Sequence, residues 1–172
     1  MSKNRIWFWS ISIIVVIIAS FAVIKQVKSM QVKPFSPEDV KINGVKPYEI
    51  VTNTVLEQLG TPKEIKETNV EEGIFRYYQY PTFTMVTHIY DSWQKQKNVE
   101  VIEDFIITNP AFKTARGISV GDDVEKLFSK YGIAKLEEDS YYYDYEPKSD
   151  SERIQSMVVK VKNKKIVEII FQ

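Results

Sequence analysis

Val55-Leu56-Glu57-Gln58-Leu59-Gly60, then Arg76-Tyr77-Tyr78-Gln79-Tyr80, then Ile102-Glu103-Asp104-Phe105-Ile106-Ile107 is the stretch that decides the fold, because the chain answers it later. The answering segments are Leu127-Phe128-Ser129-Lys130-Tyr131-Gly132, Tyr141-Tyr142-Tyr143-Asp144-Tyr145 and Ile166-Val167-Glu168-Ile169-Ile170-Phe171. In both sets an amphipathic helix ending at Gly precedes an aromatic strand and a final aliphatic strand. A repeated supersecondary unit is an architectural signal, since one unit alone cannot cover its apolar face. The expected fold class is therefore α+β: two tandem helix-plus-antiparallel-sheet units.

Local signals place the elements. Pro47 suits a first helical position, and Val51, Val55 and Leu59 share a helix face up to Gly60, with Pro62 beyond as a stop. In the second copy Asp122 and Glu125 have capping-box spacing, and Val124, Leu127, Phe128 and Tyr131 form the apolar stripe that Gly132 ends. Gly60 and Gly132 are expected in left-handed conformations. Phe83, Met85 and Ile89 alternate with Thr84, Val86 and His88, and Met157, Val159 and Val161 alternate with Val158, Lys160 and Lys162, as half-buried strands do. Lys162-Asn163-Lys164-Lys165 reads as a hairpin turn, with Gln94 to Asn98 as a longer counterpart. Phe105 and Ile107, matched with Ile169 and Phe171, mark the core face of the last strands; Asp104 and Glu168 mark the opposite, open face.

Upstream, Ile6 to Ile24 is apolar and uncharged, interrupted only by Ser10, Ser12 and Ser20. As a helix it spans about 28 Å, matching the hydrocarbon core of a bilayer. Trp7, Phe8 and Trp9 cluster at one end, as interfacial rings do. Lys3 and Arg5 before the stretch are balanced by Lys25, Lys28 and Lys33 after it, so charge alone does not orient it. Ser20-Phe21-Ala22 is a small-x-small site, which leaves secretion after cleavage near Ala22 as the alternative. The apolar residues around that site and the length of the stretch favour an uncleaved signal-anchor, a single transmembrane helix. The expected organisation is a cytoplasmic tail at 1–5, an anchor at 6–24, a linker at 25–44 and an extracytoplasmic domain at 45–172, with units 45–115 and 116–172.

Composition narrows the partners. The 23 basic and 23 acidic residues balance, so nothing basic points to nucleic acid. The absence of Cys excludes disulfides, Cys-ligated zinc, a thiol nucleophile and a lipid-bearing cysteine. An exported domain without disulfides suits a bacterial envelope.

Leu59-Gly60-Thr61-Pro62 resembles the helix-ending signature of the β-lactamase-inhibitor-protein and outer-membrane-assembly-lipoprotein group of tandem repeats. Arg116-Gly117-Ile118-Ser119-Val120-Gly121-Asp122, leading to Tyr131-Gly132, looks like the segment that opens a unit in the same group. The resemblance spans roughly Val45 to Gln172. It implies tandem helix–sheet units joined into one curved sheet whose concave side grips another protein. Ile133-Ala134 departs from the expected helix ending, and no inhibitory loop matches, so neither a target nor an inhibitory residue carries over.

Chemistry is sparse. His88 is the only histidine, no Gly-x-Ser-x-Gly elbow occurs, and the sequence gives His88 no special role in its strand. Glu137-Glu138-Asp139 lacks the alternating ligands of a calcium loop and reads as a solvated turn. Gly117 and Gly121 are not followed by Gly-Lys-Ser/Thr, so they form no phosphate loop. Neither a catalytic residue, a metal nor a cofactor is expected. The candidate partner-binding residues are Arg76, Tyr78 and Tyr80 on one strand face and Tyr141, Tyr143 and Tyr145 at alternating positions in the second copy. Strand aromatics also pack for structural reasons, and register decides between the two roles. The leading expectation is a membrane-anchored extracytoplasmic module that binds or inhibits another envelope protein. A cell-wall carbohydrate-binding module and an envelope hydrolase are the alternatives.

Overall fold

In a computed structural model, residues 32–71, 73–93, 96–147 and 153–172 are described, as are the side chains of all of these except 92, 93, 96 and 97. The fold is the compact unit Pro34–Gln172. No helix among the described residues is long and apolar enough to cross a membrane; the anchor stretch, residues 6–24, lies outside them.

The α+β tandem expected from sequence is corrected. The domain is mostly one eight-stranded antiparallel sheet with two short α-helices, not a pair of helix-plus-sheet units. The strands are β1 (Glu64–Val70), β2 (Gly73–Gln79), β3 (Thr84–Trp93), β4 (Gln96–Ile107), β5 (Lys135–Glu137), β6 (Ser140–Tyr145), β7 (Gln155–Lys162) and β8 (Lys165–Phe171), ordered β1-β2-β3-β4-β8-β7-β6-β5. Helix α1 (Asn53–Leu59) and helix α2 (Val124–Tyr131) are one to two turns each, too short to stand without the sheet. The flanking strands also differ: β3 and β4 run 10 and 12 residues, β7 and β8 only 8 and 7. The bulge of β3–β4 falls at Val86/Thr87, whereas that of β7–β8 falls at Lys160/Val161.

Register builds the core. Opposed residues of an antiparallel pair share a face, so Tyr78, Met85, Phe105, Phe171, Met157 and Tyr143 form one row across six strands. The row reads the same from either end, and all six side chains are buried. Val55 and Leu59 of α1 and Val124, Leu127 and Tyr131 of α2 join the same apolar cluster, which places both helices on this face. Phe105 and Ile107 stand opposite Phe171 and Ile169 as their alternation predicts, and all four are fully buried.

Both helix starts differ from expectation. Pro47 does not open α1. Thr52 caps it, accepting from the Val55 amide at 3.2 Å, while Tyr48 and Val51 donate to Ile102 and Glu100 carbonyls and Glu49 accepts from the Ile102 amide. That pairing extends the free edge of β4 where β8 has ended, and it draws the chain out of a helix. The residue before α2 is Asp123, not Asp122; Asp122 instead accepts from the Ser119 amide and Lys126. Gly60 and Gly132 do end the helices with positive φ (87° and 84°), but their ψ values near 180° are extended rather than left-handed helical.

The expected linker is also shorter than its range of 25–44. Its part before residue 32 lies outside the described residues, while Asp39, Val40 and Ile42 are buried in the domain. A 3-10 turn (Pro37–Val40) carries Asp39 to Arg116, whose guanidinium grips the carboxylate through Nε at 2.8 Å and Nη2 at 2.6 Å. The Arg116 guanidinium also lies 4.5 Å above the Tyr131 ring.

Candidate functional site

All six sequence candidates fall on the face that the helices cover, which corrects the expectation of reachable, neighbouring rings. Tyr78, Tyr80 and Tyr143 are buried. Tyr131 of α2 and Phe35 both pack against the Tyr143 ring, and the Tyr143 hydroxyl donates to the Gly132 carbonyl at 2.8 Å. Tyr141 is half-buried with its ring edge-on to Phe128 of α2, and Tyr145 is half-buried opposite Gln155. Tyr80 stacks on Phe83, and its buried hydroxyl has no partner among the described residues. Tyr78 and Tyr143 stand five strand spacings apart, about 24 Å, so no single patch holds them.

Arg76 is used internally. It bonds Glu67 and Glu100, while Tyr78 and Thr87 also donate to Glu100 at 2.8 and 2.6 Å. Burial, then the Glu100 bond, pushes the Tyr78 hydroxyl up to about 12. Burial would lower the Arg76 guanidinium, but the Glu67 bond and the Glu100 charge outweigh it and hold it above its ordinary value. This is a charge network that keeps Glu100 paired at the margin of the core.

Among the described residues no helix covers the opposite face. Phe75, Tyr77, Tyr90 and Tyr142 are half-buried there, and Val86, His88 and Val158 on the same face are buried. Where the β1–β2 turn meets β3, Val70, Glu71, Phe75, His88 and Tyr90 line an open cleft of about 410 Å³. His88 is sandwiched: Phe75 stacks on it at 4.4 Å and 16°, and Tyr90 lies 3.9 Å away on a tilted plane. Its Nε2 is buried without a hydrogen-bond partner among the described residues and turned toward Gly73, 2.9 Å from where a β-carbon would stand. Read from sequence, His88 has no special role; in the fold it covers the bare backbone of Gly73 and forms a wall of the cleft. The signal that marks this place is Gly73 itself, a glycine inside a strand and opposite an aromatic position.

The bulge at Val86/Thr87 leaves Glu103 as the extra residue of β4, between Asp104 opposite Val86 and Ile102 opposite Thr87. Both acids consequently reach the open face, where Tyr90 donates to Glu103 at 2.8 Å. Burial first, then the Glu103 charge, raises the Asp104 carboxyl to about 6. Tyr48 is raised by burial and by Glu103, and the Arg153 guanidinium sits 4.7 Å over its ring.

The Asp104 shift fixes a pH dependence. Above pH 6 the carboxyl is charged in folded and unfolded chains alike, and the native state bears the whole cost of a partly buried charge. Between about pH 6 and pH 4 the folded protein binds the proton first, so stability rises as pH falls, levelling off once the unfolded carboxyl is protonated too. Asp104→Asn should therefore stabilise the protein at pH 7 by about 1–2 kcal/mol, allowing for partial exposure, and flatten that rise. Urea unfolding of both proteins from pH 4 to 7 checks it; parallel curves would contradict it.

Among the described residues no group of three or more His, Asp or Glu is placed to hold a metal. No protein-family model, curated protein or solved structure matches this chain.

Proposed function

We propose that the chain is an envelope protein held at the membrane by Ile6–Ile24, whose extracytoplasmic sheet domain binds another protein through the face opposite the helices. The observation that carries this reading is the asymmetry of the sheet. One face packs α1, α2 and the Pro37–Val40 turn over its middle. The other, among whose residues Val86, His88 and Val158 are buried, keeps Phe75, Tyr77, Tyr90 and Tyr142 partly exposed, with no helix among the described residues over them. Aromatic side chains supply large contact area at low entropic cost, which is why binding surfaces use them. The surface is thus moved from the tyrosines named by sequence to their neighbours of opposite parity: Tyr77 rather than Tyr78, and Tyr142 rather than Tyr143.

Photo-crosslinking in cells tests this. A photoreactive residue at Tyr77 or Tyr142 should yield a discrete crosslinked protein, and one at Glu57 or Lys126 on the helices should not. Crosslinks from the helix positions alone would contradict the proposal.

A further inference from the structure

Glu71 is exposed in the β1–β2 turn and has no ion-pair or hydrogen-bond partner among the described residues. Among the described residues it is the only carboxylate lining the cleft, and Phe75, His88 and Tyr90 supply the aromatic walls. The other acids nearby, Glu103 bonded to Tyr90 and Asp104 beside it, have the same sign. Arg153, over the Tyr48 ring, is the one cation this cluster meets among the described residues. A carboxylate beside an apolar aromatic wall is the chemistry that holds an organic cation: the formal charge attracts the ammonium, and the walls take its methylenes. A volume of about 410 Å³ is within the range of small-molecule sites and is ample for one amine-bearing chain.

We propose that the cleft formed by Glu71, Phe75, His88 and Tyr90 is a binding site for an alkylammonium group. The cation lies against the Glu71 carboxylate, with Phe75 and Tyr90 as neighbouring apolar walls and its alkyl stem against Val70. His88 takes no part as a base, because it is wedged between two rings with Nε2 against Gly73. The group could come from a free amine or from the lysine side chain of a protein, and the site itself does not depend on the proposed function.

His88 is the sole histidine, so its imidazole resonances report on the cleft without ambiguity. The whole chain in detergent at pH 7 is titrated with butylammonium, with Nα-acetyl-lysine N-methylamide and with butanol as the uncharged counterpart. The expected result is a saturable shift of the His88 signals with both cations and none with butanol, weakened at least tenfold in Glu71→Gln. Tighter binding of the lysine amide assigns the group to a protein side chain; tighter binding of butylammonium assigns it to a free amine. Glu71 is exposed, so the Gln variant should keep the parent amide spectrum, and Phe75→Leu gives a second test that leaves the carboxylate in place. Linear shifts, an equal response to butanol, or undiminished binding in both variants would overturn the proposal.

Discussion

Arg116→Ala should cost about 3–5 kcal/mol of folding stability, the range for breaking one side of a buried ion pair. The Arg116 and Asp39 side chains are only 12% and 6% exposed, and two hydrogen bonds join them. The same guanidinium donates to the carbonyls of Pro34 at 2.7 Å and Lys130 at 3.0 Å. It therefore fastens the segment entering the domain to the end of α2. Removing it leaves the Asp39 carboxylate nearly dry, with the Ser36 amide and hydroxyl as its donors among the described residues. Arg116→Lys should recover little, because an ammonium cannot reproduce the two-point fork. Asp39→Ala should be nearly as damaging, and the double variant should lose much less than the sum of the two. Urea unfolding of the four proteins checks this; additive losses would show that the pair is not coupled.

Gly73→Ala is the second large effect, about 2–5 kcal/mol, from backbone strain and overpacking together. Gly73 has φ 139°, which side-chain-bearing residues rarely adopt. A β-carbon there would stand 2.2 Å from the Ile89 carbonyl oxygen, a backbone atom fixed by the β2–β3 ladder, and 2.9 Å from His88 Nε2. Neither neighbour can move cheaply: the first belongs to the sheet and the second is held between two rings. Glu71→Ala in the same turn, exposed and unpaired among the described residues, should change stability by about 0.5 kcal/mol or less. Comparable unfolding midpoints for the two variants would contradict this account of the turn.

How far the sequence carried is clearest strand by strand. Period-two alternation located β3, β4, β7 and β8 and identified Phe105, Ile107, Ile169 and Phe171 as the dry side, although Met85 to His88 of β3 and Gln155 to Val159 of β7 are buried on both faces. It missed β1, since Glu64-Ile65-Lys66-Glu67-Thr68-Asn69-Val70 is exposed throughout and an edge strand with two wet faces has no hydrophobic period. It missed β5, which is three exposed residues. Helix weight was overestimated because the Val51–Val55–Leu59 spacing hides that residues 48–51 are committed to the edge of β4. Asp39, Val40 and Ile42 looked like linker because their burial follows no period and depends on Arg116, far away in the chain.

The candidate site was less legible than the fold. Alternation correctly grouped Arg76, Tyr78 and Tyr80, and separately Tyr141, Tyr143 and Tyr145, but parity within a strand does not say which face meets the helices. Register across six strands decides that, and it set Tyr78 and Tyr143 in the row with Phe105 and Phe171. Glu71, Phe75, His88 and Tyr90 come from a turn and two strands, and only the β2–β3 pairing brings them together.

The face assignment is the centre of the account, and the absence of native cysteine makes it directly measurable. Single cysteines at Tyr77, Tyr142, Tyr78 and Tyr143 are exposed to a membrane-impermeant maleimide on intact cells. Fast labelling at 77 and 142, with labelling at 78 and 143 only after denaturation, is the predicted result. Equal labelling within each pair, or faster labelling at 78 and 143, would contradict it.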